Sequence, residues 1–234
     1  GGIWEPENWW GTGSAYSELG VDKLNEYLTM GDVTLETNFW SLGQITGNPQ
    51  DGWVIFDASS DVFTSSGNSY SLTVNAEDYI QFNSGSGINF EGSGNVILNA
   101  KNDILFNASI DINGGLEAYS YSGDIAANES ILAGSIFFEA GSPAAGDTGS
   151  FFDATSDGGT ILRATTGDLT VRARESIDFG GDVVADMGNI ELTADSDMLG
   201  KGDLAVDGIV DGAENVALTG RDVTLNDDVS AGSE

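Results

Sequence analysis

The groups in this 234-residue chain best suited to chemistry are carboxylates in turn-like settings. They are Asp195-Ser196-Asp197, the pair Asp182 and Asp186, and Asp203 after the glycine-rich Leu199-Gly200-Lys201-Gly202. Hard cations take oxygen ligands, and turns rich in Asp, Asn and Gly supply them. Asp195, Asp197 and Asp203 are therefore candidate metal ligands, and Ca²⁺ is the one cofactor this pattern admits. The competing reading is a solvated acidic face. With 38 acidic side chains against 7 basic ones, the formal charge is −31, and chance pairs of carboxylates are unavoidable. Asp227-Asp228 belongs with that face.

The absences exclude more than the carboxylates suggest. There is no His and no Cys. Ser-His-Asp and Cys-His catalysis, ordinary zinc, blue-copper and iron–sulfur sites, and disulfides all fall away. A polyuronate lyase needs a basic side chain, and Arg163, Arg172 and Arg174 are the only basic residues close together. Arg172 and Arg174 read as alternating outward positions of one strand that relieve charge among many acids. No Asp cluster stands in a glycosidase-like context. The expectation is a non-enzyme with no catalytic residues. A charge of −31 repels phosphates, which argues against nucleic acid, and no apolar run has the roughly 18 residues of a membrane helix. The start of the chain carries no basic-then-apolar leader pattern, which reads as a mature product or an excised piece.

The elements that would position these groups follow from a repeat. From Leu72 an apolar–x–apolar pair recurs every eight residues: Leu72/Val74, Ile80/Phe82, Ile88/Phe90, Val96/Leu98, Ile104/Phe106. Residues two apart share one strand face, and the intervening Asn, Asp, Ser and Gly turn the chain. A shift of 24 lays Leu72 on Val96, Asn75 on Asn99, Phe82 on Phe106, Asn83 on Asn107 and Ile88 on Ile112. Three short strands per coil explain both periods. The predicted fold is an all-β, right-handed parallel β-helix, a three-faced β-solenoid of about 20–24 residues per coil, about nine turns and about 40 Å long. Asn75, Asn99, Asn83 and Asn107 are expected to form corner ladders from coil to coil. A shift of 21 continues the pattern later, from Leu169-Thr170-Val171 to Ile190-Glu191-Leu192. The alternative for such spacing is a β-sandwich.

Residues 1–53 read as an N-terminal cap with a short helix and the first coil, and residues 54–234 as the solenoid. Val21, Leu24, Tyr27 and Leu28 lie on one helical face, Asp22 sits in its first turn, and Gly31 stops it. All five Trp lie in this region. Trp4, Trp9 and Trp10, with Leu24 and Leu28, are expected to lid the core; a carbohydrate-stacking platform is the sharper alternative. At the other end Val223, Leu225 and Val229 form an uncapped coil, a candidate self-assembly edge. The stretches 41–52 and 141–149, with Pro and Gly and no alternation, read as loops.

The segment Val21–Thr37 resembles the opening segment of large secreted repeat proteins. The units Gly94-Asn95-Val96-Ile97-Leu98-Asn99-Ala100 and Asn102-Asp103-Ile104-Leu105-Phe106-Asn107-Ala108 are similar to repeats of filamentous-haemagglutinin-like exoproteins. One departure is that Asn48-Pro49 is followed by Gln50, not by the Asn of the secretion-domain motif. The resemblance implies a right-handed β-helix of an adhesin or surface fibre, secreted or at the cell surface. Its partners would be further repeats of a longer chain, surface glycans, or a second copy stacked head to tail in a filament. A polysaccharide-active enzyme is the third reading.

Overall fold

A computed structural model describes residues 19–37, 52–57, 61–141, 148–153, 159–196 and 202–232. The chain is a parallel β-helix with three faces, each a ladder of eight strands. The first face runs from Val33–Glu36 to Val216–Thr219, the second from Val54–Phe56 to Val223–Leu225, and the third from Asp61–Thr64 to Val229–Ala231. At roughly 4.8 Å per step the ladders span about 34 Å. The rod is one coil shorter than the repeat arithmetic predicts. Coils that carry long excursions consume more residues: Val33 pairs with Leu72, whereas Leu72 pairs with Val96.

The 24-residue register is present where the repeat is cleanest. Leu72 pairs with Val96, Asn75 with Asn99, Ile80 with Ile104 and Phe82 with Phe106. Ile88, however, pairs with Ile110, and it is Phe90 that meets Ile112. The cause is a tight turn in one coil, where Ser86 N–H donates to Asn83 and Gly85 sits at φ 88°. The next coil lacks that turn, so its third-face strand arrives two residues sooner.

Alternation puts Val, Leu, Ile and Phe inside, in one continuous apolar cluster. A phenylalanine column runs up it. Phe56, Phe82 and Phe106 stack on the second face, with ring centroids 4.4 and 5.5 Å apart. The fourth second-face rung then offers only Ala127 opposite Phe106. Phe138, reaching in from the first face, fills that space 5.7 Å from Phe106, and the column continues through Phe151 to Phe179. Close packing forces this exchange, because an unfilled ring-sized void would cost several kcal/mol, about 3–5.

Two strands, Ile110–Ser120 and Ile131–Ala140, run round the corner from the third face to the first without a break. Glycine permits this: a Cβ on Gly114 would lie 2.1 Å from the Gly94 carbonyl oxygen, and one on Gly134 2.4 Å from that of Asn113. At the N-terminal end, helix α1 (Val21–Leu28) lies on the first coil, with Leu24 and Leu28 buried against the core. Trp53 stacks on Tyr79 at 6.2 Å. Trp4, Trp9, Trp10 and Trp40 lie outside the described residues.

Candidate functional site

The last coil is the place where backbone and core are both left open. Leu204 N–H donates to Asp222, and Asn226 N–H donates to Val206. In a parallel ladder alternate residues serve opposite neighbours, so Thr224 faces back while Val223 and Leu225 direct their N–H and C=O groups off the end. The same pattern turns Val216 and Leu218, and Val229 and Ala231, outward along the axis. Side chains that would be core in any other coil are uncovered here. Val223 is 45 % exposed and Val229 43 %, against 0 % for their counterparts Leu204 and Val210 one coil earlier. Leu225 is half-buried.

The opposite end is closed by side-chain chemistry. Asn25 on α1 takes the place of a neighbouring strand. Its amide oxygen accepts from Phe63 N–H at 2.9 Å, and its amide nitrogen donates to the Asp61 carbonyl at 3.1 Å. Asn68 donates to the Leu28 carbonyl at 2.6 Å and ties down the helix C-terminus. Sequence reading found the apolar stripe of α1 and missed Asn25, because a lone Asn on a helix carries no periodic signal.

The four asparagines divide into two kinds. Asn75 and Asn99 lie within strands, on outward positions, rather than at corners. Asn99 Nδ2 donates to Asn75 Oδ1 at 2.8 Å, and Asn75 Nδ2 donates to Glu36 at 3.0 Å. Asn83 and Asn107 do follow strands, and each has its own link: Asn83 donates to Asp57 at 3.3 Å, and Asn107 accepts from Asn128 at 2.7 Å. The more regular corner device is a polar residue just before a strand. Asp32 accepts from Ser71 N–H, Ser71 from Asn95 N–H, and Asn95 from Gly115 N–H. Asp103 and Asp124 do the same one corner on. The signal was legible as an Asp, Asn or Ser preceding many of the apolar–x–apolar pairs, as before Leu72, Val96, Ile104 and Ile125.

The candidate metal ligands have other partners or fall outside the description. Arg221 lies 2.8 Å from the Asp203 carboxylate, Arg163 2.9 Å from Asp186, and Asp182 accepts from Ile209 N–H. Asp195 adopts φ 58°; Asp197 is not among the described residues. Among those described, no group of three or more acids converges. Arg174 does not share a face with Arg172. It falls just past the strand Leu169–Ala173 and is 7 % exposed, packed over Gly141, where the corner folds it under.

Arg172 does point outward, into a patch on the first face. It pairs with Glu191 at 3.0 Å and stands 5.6 Å over the Phe137 ring. Phe137 contacts Tyr119, whose hydroxyl donates to Glu117 at 2.8 Å. Partial burial, reinforced by that donation, pushes the Tyr119 hydroxyl up to about 12. These groups pair with one another across the face. Nearby, a shallow recess of about 390 Å³ runs past Asn75, Asn99, Lys101 and Tyr121.

These features define a β-solenoid, compatible with a structural repeat protein. Comparison with protein-family models, with curated proteins and with solved structures returns no match.

Proposed function

We propose that this chain is a non-enzymatic, extracellular structural rod: a segment of an adhesin stalk or cell-surface fibre of the filamentous-haemagglutinin-like kind. The carrying observation is the unbroken stack of eight coils on three faces over one apolar core. Hydrogen bonds along the axis act together against pulling, because parting two coils breaks the bonds of all three ladders at once. The acidic exterior keeps neighbouring rods apart. Antibody against this chain should label intact cells of the source organism at their surface. Labelling only after lysis would overturn the extracellular assignment.

A second reading, an assembling filament subunit that stacks head to tail, draws its support from the open last coil. A polysaccharide-active enzyme is the third; cleavage of any member of a polysaccharide panel, with or without Ca²⁺, would establish it over the structural reading.

A further inference from the structure

We infer that a recess on the side of the rod, where the first face turns into the second, binds a neutral oligosaccharide through Tyr121, Lys101 and Asn99. The inference rests on the reading of the chain as a surface rod. It gives that rod a ligand class and a place to hold it.

Strand register assembles the site. On the first face Asn75 pairs with Asn99, and Ala76 with Ala100, which in turn pairs with Ser120. One residue further along each strand, the same order sets Glu77, Lys101 and Tyr121 in a row at the corner. Lys101 N–H donates to Ala76, and Tyr121 N–H to Ala100. Coils about 4.8 Å apart spread this row over about 10 Å, the reach of two linked sugar rings. Between the strand amides and the corner row lies the recess of about 390 Å³. Its groups keep bonding capacity for a guest. The Lys101 side chain is 60 % exposed, and among the described residues its ammonium meets only Glu77, at 3.5 Å. Asn99 gives an amide hydrogen to Asn75, and its own Oδ1 accepts from no described residue. The Tyr121 side chain is half-exposed.

A sugar ring presents an apolar C–H face and a rim of hydroxyls that both donate and accept. The Tyr121 ring supplies a flat surface for the first, and ammonium, amide and carboxylate supply partners for the second. Tyr119, two residues earlier, is already committed: its hydroxyl donates to Glu117 and its ring meets Phe137. Other guests fit worse. A net charge of −31, with Glu77 in the recess and Glu36 bonded to Asn75, repels a phosphate, sulfate or carboxylate. A cation is opposed by Lys101 in the middle of the row. An apolar small molecule needs a mostly apolar cavity that encloses it, whereas this recess is shallow and lined by amides and charges. A protein partner buries about 800 Å² a side around an apolar centre, and here a single ring stands among polar groups.

The test is calorimetry and saturation-transfer NMR on the full chain with a panel of neutral, uronic-acid, sialylated and sulfated oligosaccharides. The expected result is binding of neutral sugars, with saturation strongest on the C–H protons of one ring face. Their affinity should change by less than about twofold between about 0.01 M and about 1 M salt, because no ion pair forms. Tyr121→Ala and Lys101→Ala should each weaken binding by roughly tenfold or more. Both side chains are exposed, so the circular-dichroism spectrum should stay that of the parent. Tyr121→Phe keeps the ring and should keep the binding, and Tyr70→Ala, at an exposed tyrosine before Leu72, should change nothing. Binding confined to acidic sugars, or lost as salt rises, would overturn the inference in favour of an anion site at Lys101. Neutral binding that survives Tyr121→Ala would overturn it in favour of another surface. No binding in any arm would overturn it and leave the rod as a reading, which surface labelling of cells decides separately.

Discussion

At the N-terminal end the strand edge of Asp61–Thr64 meets Asn25, and the core meets Leu24 and Leu28. At the C-terminal end the edges beyond Val223–Leu225 and Val229–Ala231 meet nothing among the described residues, and Val223 is 45 % exposed. The two ends are built from the same coil, so the difference lies in what breaks the repeat. A β-helix is translationally symmetric, and each coil creates the edge that the next one needs. No coil of the repeat can cap another. Only an element with a different period, here an eight-residue helix, covers the core without presenting a new edge. The helix end therefore terminates the stack, and a coil of the repeat does not.

The largest effect should come from removing the lid. Leu28→Ala empties a fully buried site under α1, and such truncations cost about 2–5 kcal/mol. Because stacked repeats couple mainly to neighbours, the loss should concentrate in the first coils. Hydrogen exchange should show Val33–Glu36 and Asp61–Thr64 losing protection while the middle of the rod keeps it. The matching truncation Leu225→Ala, at a half-buried site, should shift protection far less. Equal losses at both ends would break the contrast drawn above.

A finer cut separates covering the core from satisfying the edge. Asn25→Ala leaves Leu24 and Leu28 in place but hands the exposed Phe63 N–H and Asp61 carbonyl to water, at a cost of about 0.5–1.5 kcal/mol. Asn25→Asp keeps the acceptor for Phe63 N–H and should recover part of the loss. Urea unfolding of the three proteins should rank Asn, then Asp, then Ala. If Asn25→Ala is as stable as the parent, the helix works through apolar cover alone.

Much of this architecture was readable from residue spacing, and the failures have a common cause. The Leu72/Val96 and Phe82/Phe106 registers emerged because successive coils there have equal length. Ile88 was placed two residues off because a glycine turn between Asn83 and Gly87 lengthens one coil, and no apolar signal marks it. Arg174 looked outward because strand alternation was extended one step past the corner. Phe138 filling the space beside Ala127 is a size match between different faces, separated in sequence, which no short period encodes. The last strands were legible, since apolar pairs continue through Val223/Leu225 to Val229. The cap was half legible: the stripe of Leu24 and Leu28 shows, and the polar contact of Asn25 does not. Periodicity reports what coils share, and both caps and corners are departures from it.

The smallest effect concerns the middle of the rod and supplies a reference for both ends. The Tyr119 hydroxyl is raised from the ordinary 10.0 to about 12 by burial first and by its donation to Glu117 second. A phenol that holds its proton more tightly when folded stabilises the fold fully below about pH 10. That contribution fades as pH climbs from about 10 to 12, where the unfolded chain ionises first. Ultraviolet titration should therefore show a late tyrosine step near pH 12, and Tyr119→Phe should remove it. Hydrogen exchange run on either side of the transition should loosen the coils around Tyr119 and Phe137 before α1 or the last coil responds. If the late phenol survives Tyr119→Phe, the Glu117 contact is not what holds the proton. If instead the ends loosen first, the mid-rod patch contributes less to cohesion than the helix that closes one end.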